Sequence, residues 1–124
     1  MPVPVLAQAP YLIASVQDAL TDADLLALQN DLLVQTQRNR SQGVVVDVTS
    51  LDVIDSFSVR TLQSLAIMLA LRGVDTVIVG IQPSVAMAMA ELGLSILDVG
   101  TALDLEEGLA YLRARPHGRA DRGR

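Results

Sequence analysis

Val44-Val45-Val46-Asp47-Val48-Thr49-Ser50-Leu51-Asp52-Val53-Ile54-Asp55-Ser56-Phe57-Ser58-Val59-Arg60 decides how this chain is read. Its first half is β-branched and apolar almost without interruption, the composition of a strand buried on both faces. Its second half turns to helical spacing, with Val59, Leu62, Leu65, Ala66 and Leu69 forming one apolar stripe. Between them lie three aspartates and small hydroxyls, so a strand hands over to a helix near Ser56. There Ser56 has two compatible readings. It is a helix cap whose hydroxyl accepts a backbone N–H two or three residues on. It is also a hydroxyl at the positive end of a helix, where a phosphate is tolerated.

Outward from this stretch, β and α patterns alternate. Val3-Pro4-Val5-Leu6 and Tyr11-Leu12-Ile13-Ala14-Ser15-Val16 read as strands, the first demoted to an edge by Pro4. Thr21-Asp22-Ala23-Asp24 reads as a capping box opening a helix to about Arg38, with Arg38 and Arg40 suited to its C-terminal end. Gly73 stops the second helix, and Thr76–Ile81 is a further central strand. Pro83 fits the first turn of a third helix, and Gly93 its end. Ile96-Leu97 suggests a short strand, and Thr101-Ala102-Leu103-Asp104 a second capping box before a fourth helix. The order β-β-α-β-α-β-α-(β)-α predicts an α/β fold with a mixed, mostly parallel sheet of four to five strands and four flanking helices.

Length and composition narrow the function. A chain of 124 residues suggests one domain. It is 51% hydrophobic with only three aromatic residues, so Leu, Val, Ile, Ala and Met must build the core. No apolar run reaches membrane-spanning length, and the N-terminus does not resemble a secretory signal. There is no cysteine, hence no thiol or disulfide chemistry, and a cytoplasmic protein is expected. The net charge of −5 conceals an asymmetry: residues 1–112 carry four arginines against thirteen carboxylates, −9, while residues 113–124 carry five arginines against Asp121, +4. An acidic, aromatic-poor body does not suit nucleic acid. The globular part is expected over residues 1–112, followed by an Arg-rich tail over 113–124, disordered from Arg115 on.

Catalysis by this chain is not expected. Lysine is absent, which removes Schiff-base chemistry and a lysine phosphate anchor, and the lone His117 lies in the tail, so no histidine-assisted serine is available. Neither glycine-rich nucleotide motif occurs. Asp47, Asp52 and Asp55 are close in sequence but read as solvated loop carboxylates, not metal ligands. A phospho-accepting receiver domain is rejected for want of its lysine and acidic pair. Phe57, the only phenylalanine, is either an exposed anchor or tucked against the sheet; Ser58 is a secondary hydroxyl.

The segment Gly43–Ser50, Ile54-Asp55-Ser56-Phe57, Gly80-Ile81-Gln82-Pro83, Glu91-Leu92-Gly93 and Thr101–Leu109 together resemble the STAS domains, and among them the RsbS-type stressosome antagonists. The likeness covers about Val5 to Leu112. It implies the SpoIIAA-like STAS fold, no enzyme activity and no cofactor. It also implies that Ser56 is phosphorylated by a serine kinase of the GHKL type (RsbT-like), which the unphosphorylated protein holds together with larger STAS paralogues (RsbR-like). A cognate phosphatase would reset the serine. Asp55, Ser56, Phe57, Ser58 and Arg60 are the expected partner-binding residues, with a homo-oligomer allowed, and no nucleic acid, membrane or metal involved. The alternatives are a stand-alone anti-anti-sigma factor and a small-ligand sensor using a crevice near Asp47 and Gln82.

Overall fold

The computed structural model describes residues 3–17, 20–94 and 99–115. Five strands, β1 (Val5–Gln8), β2 (Tyr11–Ser15), β3 (Gly43–Asp47), β4 (Asp75–Val79) and β5 (Gly100–Ala102), lie side by side in chain order. β1 pairs antiparallel with β2, and every other neighbouring pair is parallel. The predicted mixed, mostly parallel sheet is therefore present. Pro4 sits just before edge strand β1, where its missing N–H costs no ladder bond.

Helices α1 (Asp22–Asn39), α2 (Ser56–Leu71), α3 (Pro83–Leu92) and α4 (Leu105–Ala114) complete the order. Crossovers between parallel strands keep one hand, so a sheet that steps steadily in one direction receives its crossover helices on one face. Accordingly α1, α2 and α3 cover one side, packed on Leu12, Ala14, Val44, Val46 and Ile78. The returning α4 covers the other through Leu109 and Leu112, against Ile13, Val45, Val77 and Val79. Val44, Val45, Val46, Val77 and Val79 are all fully buried, which is why β3 and β4 read as unbroken apolar runs. The stripe Val59, Leu62, Leu65, Ala66 and Leu69 of α2 is buried as its spacing predicts.

Local signals hold at most ends. Thr21 and Asp24 form a reciprocal capping box at 3.0 Å each way. Pro83 opens α3, and Gly93 closes it at φ 84°. The expected cap at Thr101 is corrected: Thr101 lies in β5, paired with Ile78, and Asp104 caps α4 instead, accepting Glu107 N–H at 2.9 Å. Two capping residues three positions apart compete there, and strand pairing settles the choice. The expected strand at Ile96-Leu97 lies outside the described residues. α4 runs on to Ala114, past the point where the apolar spacing stops. Its continuation is secured by Arg115, whose Nε lies 3.3 Å from Asp75 Oδ2 and whose guanidinium stands over the Tyr111 ring. The start of the tail at Arg113–Arg115 is thus ordered, against expectation; residues 116–124 are outside the described set.

All four helices run opposite to the parallel strands, so their N-termini gather where the strands end. Carboxylates gather there too: Asp22 and Asp24 on α1, Asp47, Asp52 and Asp55 along the β3–α2 connection, and Asp104, Glu106 and Glu107 at α4. Among the described residues, Arg60 stands against these eight, a balance of −7. At the opposite end, among the described residues, Arg38, Arg40, Arg72, Arg113 and Arg115 face Asp75 and Glu91, a balance of +3.

Candidate functional site

The site lies at the acidic end, where β3 hands over to α2. Asp47, the last residue of β3, accepts both the N–H and the hydroxyl of Thr49 on Oδ1, at 2.9 and 2.6 Å. That turns the chain sharply, in the manner of an Asx-turn. Thr49 then drops onto Gly80. A Cβ at Gly80 would collide with Thr49 Oγ1 and crowd its backbone Cα at 3.2 Å, and Gly80 has φ +76°, so both space and conformation call for glycine. Two long-range bonds finish the seat: Gln82 Nε2 donates to Thr49 carbonyl O at 2.8 Å, and Ser84 Oγ to Asp52 carbonyl O at 3.1 Å. Thr49 lies between Asp47 and Gln82, bonded to both.

The loop delivers Asp55 at φ −107°, ψ 173°, and its Oδ1 accepts Ser58 N–H at 2.8 Å. Asp55, not Ser56, is therefore the N-cap, and the reading of Ser56 as the cap is corrected. Aspartate and serine cap about equally well, and the extended residue is the one before Ser56. The N–H of Ser58 holds the Asp55 carboxyl below the ordinary aspartate range, its hydroxyl adds to this, burial opposes slightly, and the Arg60 charge contributes least.

Relieved of capping, Ser56 occupies the first helical position, exposed, with no hydrogen bond on its hydroxyl among the described residues. The neighbouring hydroxyls are less available. Ser58 is half-buried, and Thr61 is buried with Oγ1 donating to Phe57 O at 2.8 Å. Phe57 is half-buried, between the two readings of it, and Arg60 is exposed. The first turn of α2 contains no acidic residue. Asp55, Ser56, Phe57, Ser58 and Arg60 thus share one helix start, as they must by sequence; what the fold adds is its immobilisation on β4 and α3.

Two features went unread in the sequence. Val53 is 77% exposed at the loop crest, three residues from Ser56. An apolar residue flanked by Asp52 and Ile54 in a polar connection was the available signal. Beside it opens a cleft of about 460 Å³ between the starts of α1 and α2, lined by Leu20, Leu25, Val53, Ile54, Asp55 and Ser58 among others. It depends on two helices distant in sequence, so no local pattern announces it. Among the described residues, no group of three or more His, Cys, Asp or Glu could hold a metal ion. Nor is any described helix long and apolar enough to cross a membrane.

This geometry has relatives. The chain is similar to a serine-to-glutamate variant of RsbS from Moorella thermoacetica, with 31% identity over 90% of this chain and 94% of that one and a TM-score of 0.81. It is also similar to a chain in a structure of the stressosome, described as a signal integration and transduction hub. There the identity is 32% over 89% of this chain and 96% of that one, with a TM-score of 0.79. A putative anti-sigma factor antagonist from Thermotoga maritima shares the fold at 14% identity, covering 90% and 94% of the two chains, with a TM-score of 0.69. No curated protein sequence matches the chain. The STAS domain model matches residues 4–107, and the chain belongs to the STAS domain family.

Proposed function

We propose that this chain is a non-enzymatic, cytoplasmic partner-switching antagonist. Unphosphorylated, and assembled with larger STAS paralogues in a stressosome, it holds a GHKL-type serine kinase. That kinase phosphorylates Ser56 and is released, and a phosphatase restores the serine. The observation that carries this reading is Ser56 itself: an exposed hydroxyl one residue inside a helix whose cap is already supplied by Asp55. Modification therefore costs the helix no capping bond. Likeness to RsbS and to a stressosome chain at 31–32% identity supports the partner class.

The switch follows from charge and desolvation. A phosphate adds about −1.5 to −2 charges at pH 7. The helix end offsets part of this, while Asp55 next door opposes it by like-charge repulsion. The partner contact combines this position with exposed Val53 and half-buried Phe57, an apolar patch against which an unpaired dianion is costly to bury. Little changes in the fold and much in the surface.

Incubation with the kinase and ATP, followed by mass spectrometry, is expected to place phosphate on Ser56, and Ser56→Asp is expected to lose kinase binding by about tenfold or more, about 1.4 kcal/mol. Phosphate on Ser58 or Thr61 alone, or wild-type kinase affinity in Ser56→Asp, overturns the proposal. Co-expression with STAS paralogues is expected to yield a megadalton-scale particle; a one-to-one complex with the kinase as the sole product points to a stand-alone anti-anti-sigma factor.

A further inference from the structure

At the end of the molecule opposite Ser56, a cleft of about 290 Å³ opens where α1 and α2 finish. It is lined by Thr36, Gln37, Arg40, Ser41, Arg72 and Val74. Thr36, Ser41 and Val74 are buried and form its floor, whereas Gln37, Arg40 and Arg72 are exposed at its rim. The two buried hydroxyls differ. Thr36 Oγ1 donates to Leu32 O at 2.7 Å and is satisfied within its own helix. Ser41 is only 8% exposed, and its N–H donates to Thr36 O at 2.9 Å, but its hydroxyl makes no hydrogen bond among the described residues. A buried polar group with no partner is costly and uncommon in native proteins, so this one calls for an explanation.

The cations at the rim have no carboxylate of their own. Among the described residues neither Arg40 nor Arg72 forms an ion pair. Asp75, three residues after Arg72, belongs to the opposite face of the sheet with Val77 and Val79, where Arg115 engages it at 3.3 Å. Arg40 has a left-handed backbone, φ 50°, ψ 45°. Glycine or asparagine is the usual occupant of that conformation, so a long cation is kept there at a conformational cost. Carbonyls at the helix ends oppose an anion, but several are already bonded: Arg40 N–H to Gln37 O, Ser41 N–H to Thr36 O, Arg72 N–H to Leu69 O and Gly73 N–H to Ala70 O. Complementing the helix dipoles accounts for a base at each helix end. It does not account for an unpaired serine buried beside both.

We infer that this cleft is a binding site for a small oxyanion of the phosphate class, either free phosphate or a phosphomonoester. The guanidinium groups of Arg40 and Arg72 supply two positive charges and forked donors that suit phosphate oxygens. A phosphomonoester carries about −1.5 to −2 charges at pH 7, so this pair alone neutralises it. Ser41 Oγ has a proton free to donate to one of the oxygens, and the Gln37 amide adds donors at the rim. The Thr36 proton is already committed to Leu32 O, so Ser41 is the hydroxyl on which the site turns. An anion held there joins the end of α1 to the end of α2, and binding to the folded chain alone stabilises it.

The test is amide NMR of the isotope-labelled full chain, titrated with inorganic phosphate at about pH 7 while sodium chloride holds the ionic strength constant, since exposed arginines also respond to general screening. The expected result is saturable shifts at the amides of residues 36–41 and 72–74, with a thermal unfolding midpoint that rises in phosphate and not in chloride. Ser41→Ala removes the unpaired hydroxyl, so its own midpoint is expected to hold or rise while phosphate affinity falls about three- to tenfold. Arg40→Gly relieves the left-handed backbone; Arg40→Gly/Arg72→Gln is expected to lose affinity by about tenfold or more with no loss of midpoint. Titration with phenyl phosphate identifies the source. Tighter binding than inorganic phosphate assigns the cleft to a phosphorylated small molecule, and equal or weaker binding assigns it to free phosphate. No saturable shift, shifts centred on the start of α2, or unchanged affinity in either variant overturns the inference. None of these readings involves the kinase, so the outcome is independent of the role of Ser56.

Discussion

The starts of α2 and α4 are built on the same plan and finished differently. Each has an aspartate at the cap, Asp55 or Asp104, whose Oδ1 accepts the N–H three residues on, at 2.8 and 2.9 Å. In α4 the positive end is then filled: Glu106 and Glu107 occupy the first turn, and Glu107 Oε1 reaches back to Leu103 N–H at 3.1 Å. In α2 the equivalent positions are Phe57 and Ser58, and no acid is present in the turn. One helix start is saturated with negative charge, and the other has room for one more anion. A phosphoryl acceptor belongs at the second kind. The two also differ in support. α4 follows β5 after two residues, whereas α2 follows an eight-residue loop seated on Gly80, Gln82 and Ser84.

The loop seat gives the largest expected effect. Gly80→Ala meets Thr49 and adopts an unfavourable positive φ, so strain and overpacking together should cost about 2–4 kcal/mol in denaturant unfolding. If the loss were near zero, the loop would not be fixed as described. Next come the caps. Asp55→Ala and Asp104→Ala should each cost about 1 kcal/mol. A cost at Asp55 far above this, with none at Asp104, would break the parallel between the two helix starts.

Smaller still is the effect of charge at Ser56. In Ser56→Asp the open helix end and the repulsion from Asp55 oppose each other, and thermal unfolding should shift by no more than about 0.5 kcal/mol. A large destabilisation would show that α2 has no spare capacity for an anion. The smallest effect is in pH. Asp55 titrates lower in the folded chain than in the unfolded one, chiefly because it accepts Ser58 N–H. Its contribution is thus complete above the unfolded value, about 3.9, and fades as pH falls through the lower folded value. Asp55→Asn keeps a capping oxygen without titrating. Denaturant midpoints taken from about pH 6 down to about pH 2 should therefore fall slightly less in the variant than in the wild type.

Much of this architecture could be read along the chain. Buried strands β3 and β4 announce themselves by valine and isoleucine on both faces, and α2 by a stripe that the sheet then buries. The Thr21–Asp24 box is local, so it needed no tertiary information. What failed was decided by neighbours far along the chain. Thr101 was read as opening the capping box of α4, but pairing with β4 claims Thr101 and leaves the cap to Asp104. Ser56 was read as the cap of α2, but the loop puts Asp55 in the extended conformation that a cap requires. Gly43 opens β3, paired with Tyr11 and Asp75, at a position where a Cβ would meet the Leu112 and Tyr11 side chains. Arg115 found order through Asp75, forty positions earlier. At the site, Ser56 was legible as a chemical type, whereas the lock that immobilises it was not, since Thr49 meets Gly80 and Gln82 only after β4 is laid beside β3.

The unbroken order β1-β2-β3-β4-β5 carries a consequence for synthesis on the ribosome. Each strand can join the growing sheet as it emerges, because its partner has just been made, and this is the least entangled route such a sheet can take. The exception is the far face. Val45, Val77 and Val79 stay bare until α4, the last helix, folds back over them. During that interval the nascent chain displays a valine-lined sheet with an open edge, the surface on which chaperones act and aggregates start.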